Sequence, residues 1–176
     1  MKKVKVATVW LDGCSGCHMS LLDMDAAIIP LARKIDIVYG PLVDAQEFPE
    51  EVDVTLVEGA ISSQDDLNKI QKIRQHTKVL ISLGDCAVAG NVPAMRNSLP
   101  VNKMLHSIYV ENTQENHVIP GEKVPALLKQ ARPLREYVKV DLTLPGCPPP
   151  AKSISSLLTD LLESGKPDPN LVVKFG

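Results

Sequence analysis

Four cysteines are the residues of this chain best able to do chemistry: Cys14 and Cys17 form a C-x-x-C pair, and Cys86 and Cys147 stand 69 and then 61 positions further on. A C-x-x-C pair alone serves thioredoxin-like dithiols, zinc half-sites and iron-sulfur ligand sets alike. Structural zinc sites usually draw on two close pairs, whereas ligands counted two plus one plus one suit a cubane whose iron corners each accept one thiolate. A dithiol motif would leave Cys86 and Cys147 without a task. The plainest alternative is that all are small buried apolar residues, a common use of free cysteine.

The neighbours of the cysteines support a cluster. Gly13 and Gly16 allow backbone N–H groups to approach sulfur closely, and Gly84 and Gly146 stand just ahead of Cys86 and Cys147. A helix starting near His18 would turn its positive end on the thiolates. Pro145 and Pro148 to Pro150 stiffen the last of these loops. Glu58 ends an apolar run and so falls on the same rim, either as a solvated turn residue or as a carboxylate that handles protons, supports a ligand or exchanges with one. Asp12, Asp44 and Asp85 make weaker versions of that case. His18, His76, His106 and His117 read as surface or structural residues, and only His18 is close to the cysteines in sequence. Trp10 reads as core packing rather than as an electron relay. Four thiolates leave a cluster no open coordination position, so such a site carries electrons and no catalytic residue is expected in this chain.

The elements that must position these thiols alternate in type. Strands are expected over Lys3 to Leu11, Ile35 to Tyr39, Val52 to Val57, Val79 to Leu83 and Val138 to Leu144, each a short apolar run closed by a turn signal. Leu21, Leu22, Met24, Ile28, Ile29 and Leu31 predict one helix running to Ala32, with Ser20 and Asp23 as cap candidates. Leu67, Ile70 and Ile73 predict a second helix, and Ile154, Leu157, Leu158, Leu161 and Leu162 a last one before a tail from Gly165. Strands apolar throughout and alternating with helices indicate an α/β doubly wound parallel sheet in three α/β/α layers. Right-handed crossovers make the flavodoxin-like order 2-1-3-4-5 the simplest topology. All four cysteines then fall at the carboxyl edge of the sheet, where they can converge. From about Gly90 to Gly121 no period emerges, which marks a long irregular, partner-facing excursion with short helical pieces.

With 176 residues and 44% hydrophobic content, a single domain over 1–176 is expected. The 19 basic and 21 acidic residues supply no basic field for nucleic acid. No apolar stretch is long enough to span a membrane, and the start carries no cleavable signal, so a cytoplasmic protein with reduced cysteines is expected. Neither G-x-G-x-x-G nor G-x-x-x-x-G-K-[ST] occurs.

Cys14-Ser15-Gly16-Cys17, Gly84-Asp85-Cys86 and Pro145-Gly146-Cys147-Pro148-Pro149 together resemble the small subunits of nickel-iron hydrogenases, and Val57-Glu58-Gly59-Ala60 and Met95-Arg96-Asn97 match the same pattern. The resemblance implies a 4Fe-4S cluster ligated by Cys14, Cys17, Cys86 and Cys147, with Glu58 beside it and near the large subunit. A short chain with one cluster is most similar to the small subunit of cytoplasmic, bidirectional NAD-reducing hydrogenases. There, a large subunit holds the nickel-iron centre, and diaphorase subunits with iron-sulfur clusters and FMN pass electrons to NAD+ (H2 + NAD+ = NADH + H+). Another soluble hydrogenase class, using NADP or a different acceptor, is an alternative. So is the related subunit of proton-pumping NADH dehydrogenase, although that family usually sets its first two cysteines side by side. A structural zinc module holding a complex together is an alternative of a different kind.

Overall fold

A computed structural model describes residues 3–165. In chain order its elements are β1 (Val4–Trp10), α1 (Gly16–Leu22), α2 (Ile28–Lys34), β2 (Ile35–Tyr39), β3 (Val52–Glu58), β4 (Ile61–Ser63), α3 (Gln64–Gln75), β5 (Thr77–Leu83), α4 (Gly84–Ala89), α5 (Asn91–Ala94), α6 (Val101–His106), β6 (Leu127–Arg132), β7 (Leu142–Leu144) and α7 (Ala151–Ser164). β2, β1, β3, β5 and β7 form one sheet in that order, every neighbouring pair parallel. Counted among themselves, these five strands stand in the expected order 2-1-3-4-5.

The central strands carry apolar residues on both sides because both faces of the sheet are covered. Val6, Val54, Leu56, Ile81 and Leu83 point to one face, where Met24, Leu31, Ile154, Leu157 and Leu158 from the helical segments meet them. Val9, Val57 and Leu80 point to the other, against Ile70 and Ile73 of α3, with Ile61, Ala87 and Leu134. The alternation along each strand is the two-residue period of the pleat. α3 starts with a capping box in which Ser63 accepts from the Asp66 backbone and the Asp66 carboxylate accepts from the Ser63 backbone.

Three expectations need correction. The helix expected from Leu21 to Ala32 is two helices, α1 and α2, separated by a 3-10 turn at Asp25–Ala27 in which Asp25 takes a left-handed φ of 48°. Ser20 and Asp23 do not start it: Ser20 lies inside α1 and donates to Pro149 O at 2.5 Å, and Asp23 is the C-cap. The strand expected from Val138 is confined to Leu142–Leu144; Tyr137, Val138 and Val140 pack against the second core without joining the sheet. Finally, β4 pairs antiparallel with β6, a small second sheet that no local pattern in the sequence announces.

The excursion carries short helical pieces, as expected: α5, a 3-10 turn at Met95–Ser98, α6 and a π turn at Ser107–Glu111. Arg96 and Asn97 tie it to the second sheet. The Arg96 Nη2 donates to Ser62 O and Leu128 O, at 3.0 and 3.1 Å. The Asn97 amide donates to Ala131 O and accepts from Ala131 N, both at 2.8 Å. The tail expected from Gly165 lies, beyond that residue, outside the described residues.

Candidate metal centre

Strand register brings the four thiols together. Trp10 pairs with Glu58, Glu58 with Leu83 and Leu83 with Leu144, so the last residues of β1, β3, β5 and β7 form one row across the sheet. The chain leaves that row on one edge, and each cysteine follows within seven residues of its strand's end. Cys14, Cys17, Cys86 and Cys147 all line one cavity there, together with Glu58, Asp85, Gly16, Gly59, Gly146 and Pro148. Cys17 and Cys86 are partly buried, whereas Cys14 and Cys147 are exposed on the rim.

The local backbone explains how thiols from separate loops come so close. Ser15 precedes α1 in the left-handed conformation, at φ 64°, and the turn places Cys17 in the first turn of the helix. Gly84 starts α4 with φ +82°, and the place where a Cβ would stand is taken by Cys17 Sγ. A side chain at 84 would therefore evict a ligand candidate. Asp85, 6% exposed, pairs with the facing loop: its N–H donates to Gly146 O at 2.9 Å and its Oδ1 accepts from Gly146 N at 2.7 Å. The side-chain amide of Asn91 reaches Cys147 Sγ at 3.5 Å.

Glu58 is buried, 2% exposed, and its Oε2 accepts from His18 N at 2.7 Å and meets His18 Nδ1 at 2.6 Å. A solvated turn residue is thus not what Glu58 is. His18, only 6% exposed, is its structural partner, and its Nε2 is buried without a hydrogen-bond partner. Asp12 contributes backbone only, exchanging hydrogen bonds with Ala60 at 3.1 and 2.8 Å. Asp44 is exposed in the loop after β2 and does not line the cavity. His76 accompanies Glu50 at the opposite end of the sheet, and His106 and His117 lie in the excursion. Trp10 is not core packing: it is 47% exposed and its indole N–H donates to Gly13 O at 3.2 Å, bracing the first ligand loop. Asn91 was missed in the sequence; its signal is the Gly90-Asn91 pair, a dipeptide suited to the positive φ both residues adopt.

The donor set fits a sulfur-ligated cluster. Burial pushes the Cys17 thiol up to about 12, and the carboxylate of Glu58 and the other three cysteines push it the same way. Burial also raises Cys86, against a hydrogen bond from the Val92 backbone that lowers it. Crowded thiols of this kind ionise readily only when metal cations share the cavity. Among the described residues no three His, Cys, Asp or Glu side chains converge as they would around a single metal ion. All four thiols line one cavity, and thiolates are the donors that an iron-sulfur cluster takes.

Comparison with known proteins agrees with the fold. A family model described as NADH ubiquinone oxidoreductase, 20 Kd subunit, matches residues 14–161. A subunit of the vhu F420-non-reducing hydrogenase of Methanocaldococcus jannaschii is 39% identical over 166 residues, covering 93% of this chain and 58% of the relative. The chain thus spans little more than half of that protein. The NAD-reducing hydrogenase HoxS subunit delta of Cupriavidus necator is 38% identical over 173 residues, covering 94% of this chain and 81% of the relative. A chain in the crystal structure of an NAD+-reducing NiFe-hydrogenase in the H2-reduced state superposes with a TM-score of 0.93 at 33% identity, over 99% of this chain and 100% of that one.

Proposed function

The chain belongs to the NADH ubiquinone oxidoreductase 20 Kd subunit family and is kin to the small subunits of NiFe hydrogenases, and on that footing we propose that it is the electron-relay subunit of a soluble NAD-reducing hydrogenase. Cys14, Cys17, Cys86 and Cys147 would hold one 4Fe-4S cluster, which when bound supplies one-electron uptake and release. The observation that carries this reading is the convergence of all four thiols on one cavity at the carboxyl edge of the sheet.

The chain's own residues divide the work. Cys17 and Cys86 are the inner ligands, and the buried carboxylates of Glu58 and Asp85 fix their loops. Cys14 and Cys147 face outward, so the relay opens to partner subunits there. We assign to those partners a large subunit with the nickel-iron centre and diaphorase subunits carrying iron-sulfur clusters and FMN. The whole chain is read as one flavodoxin-like domain in a cytoplasmic complex. Among the described residues no helix is long and apolar enough to cross a membrane.

The 38% and 33% identities to the two NAD-reducing relatives support the NAD-linked class beside the F420-non-reducing one. The 39% identity to the latter keeps a hydrogenase of another acceptor class as the second reading. Anaerobic co-purification distinguishes them. A nickel-containing subunit together with an NAD+-reducing flavoprotein is expected; a nickel subunit whose complex does not reduce NAD+ would shift the assignment to the second reading.

A further inference from the structure

Two of the ligand loops are joined by a hydrogen-bonded ring that the relay function alone does not require. Asp85 N donates to Gly146 O at 2.9 Å, and Gly146 N donates back to Asp85 Oδ1 at 2.7 Å. Each residue immediately precedes a ligand candidate, Cys86 in one loop and Cys147 in the other. The side chain of Asp85 thus completes a bridge between loops 61 positions apart, and Gly146, with a φ of +135°, presents both its N–H and its carbonyl to the same residue. Asp85 is 6% exposed and Gly146 is buried, so bulk water does not readily replace a lost acceptor for the Gly146 N–H.

We propose that Asp85 is the positioning residue that makes Cys86 and Cys147 a single ligand unit, through the acceptor its Oδ1 offers to Gly146 N. The proposal rests on the cluster reading above. It gives the second half of the ligand frame a counterpart to the first, where Glu58 holds the turn that carries Cys17. The two exposed thiols then differ: Cys14 is braced by the backbone of its own loop and by Trp10 against Gly13 O, whereas Cys147 depends on a side chain from another loop. With the acceptor removed, Cys147 is the ligand that should drift first. Groups that orient metal ligands commonly change site affinity by about 10- to 100-fold when removed.

The test compares wild type, Asp85→Ala and Asp85→Asn in the complete complex, prepared anaerobically. Iron and sulfide per chain, the electron paramagnetic resonance line shape of the reduced cluster, and its bleaching rate in air are measured. Asp85→Ala should bleach about 10- to 100-fold faster with an altered line shape, and Asp85→Asn, whose amide oxygen can still accept from Gly146 N, should stay close to wild type. An alanine variant identical to wild type in both readouts overturns the proposal. So does an asparagine variant as damaged as the alanine one, since charge rather than the acceptor would then be what matters. Should Asp85→Ala fail to fold, Asp85→Asn decides alone: wild-type lifetime supports the proposal and a shortened one overturns it. Wild type without iron and sulfide would instead remove the cluster reading on which the proposal stands.

Discussion

Glu58 Oε2 meets one residue twice, accepting from the backbone N–H of His18 at 2.7 Å and standing 2.6 Å from its Nδ1. Since a carboxylate oxygen only accepts, Nδ1 is the donor. α1 has no side-chain cap of its own, because Ser15 stands before it in the left-handed conformation. The end of β3 thus supplies, across the sheet, the acceptor that a helix start normally finds in its preceding residue. Cys17 is the residue next to His18, so its direction follows from this pair.

Glu58→Ala should therefore destabilise the protein by about 1–3 kcal/mol, the cost of buried donors left without an acceptor. Glu58→Gln keeps one acceptor and should recover part of that loss. Urea unfolding of the three forms checks this; equal midpoints would show that the pair is not a structural element.

Gly84→Ala places a methyl group where Cys17 Sγ now stands, on a backbone with φ +82°. The conformation alone costs about 1–2 kcal/mol for a residue with a Cβ. The larger expected effect is on loading, with iron per chain falling well below wild type in protein that still folds. Full loading with an unchanged spectrum would mean that Cys17 is not held against Gly84.

Cys86→Ser should abolish the normal cluster, because an alkoxide is a poor fourth ligand beside three thiolates. The readouts are iron content and the visible and paramagnetic resonance spectra after anaerobic purification. Unchanged values would reject Cys86 as a ligand.

Away from the site, Arg74 and Asp141 make stability depend on pH in acid. Arg74 Nη1 donates to Asp141 Oδ2 at 2.5 Å, and Leu80 N donates to the same oxygen at 2.9 Å. Burial works to raise the Asp141 carboxyl, but the Leu80 hydrogen bond and the Arg74 charge together hold it below its ordinary 3.8. A lowered carboxyl contributes stability that is complete above the unfolded-state value and is lost as pH falls through the folded-state value. Asp141→Asn should accordingly cost about 1 kcal/mol at neutral pH, with the gap to wild type closing below about pH 4. Denaturant unfolding at pH 7 and at stepwise lower pH checks the sign; a gap that widens in acid would contradict it.

Much of the arrangement was legible in the amino-acid sequence, because burial on both faces concentrates Val, Ile and Leu in β1, β3 and β5. The breaks between those runs also located the cysteines at one edge. The division of α1 from α2 was not legible, since Leu21, Met24, Ile28 and Leu31 serve the same core on both sides of the break and so preserve the helical period. β4 and β6 escaped because the pairing is short, joins residues as distant as Ile61 and Arg132, and is clamped from outside by Arg96 and Asn97. Local patterning carries no trace of such contacts. Trp10 misled for a related reason: an aromatic residue at a strand end reads as core, yet register places it on the rim. His18, read as surface or structural, is structural, and its partner Glu58 left no local sign because it is 40 positions away.

The proposed electron relay depends first on what the four cysteines hold. The decisive measurement is iron, acid-labile sulfide and zinc per chain in anaerobically purified protein. About four irons and four sulfides with no stoichiometric zinc are predicted for a 4Fe-4S site; one zinc and no sulfide would contradict the relay and leave a structural metal site in its place.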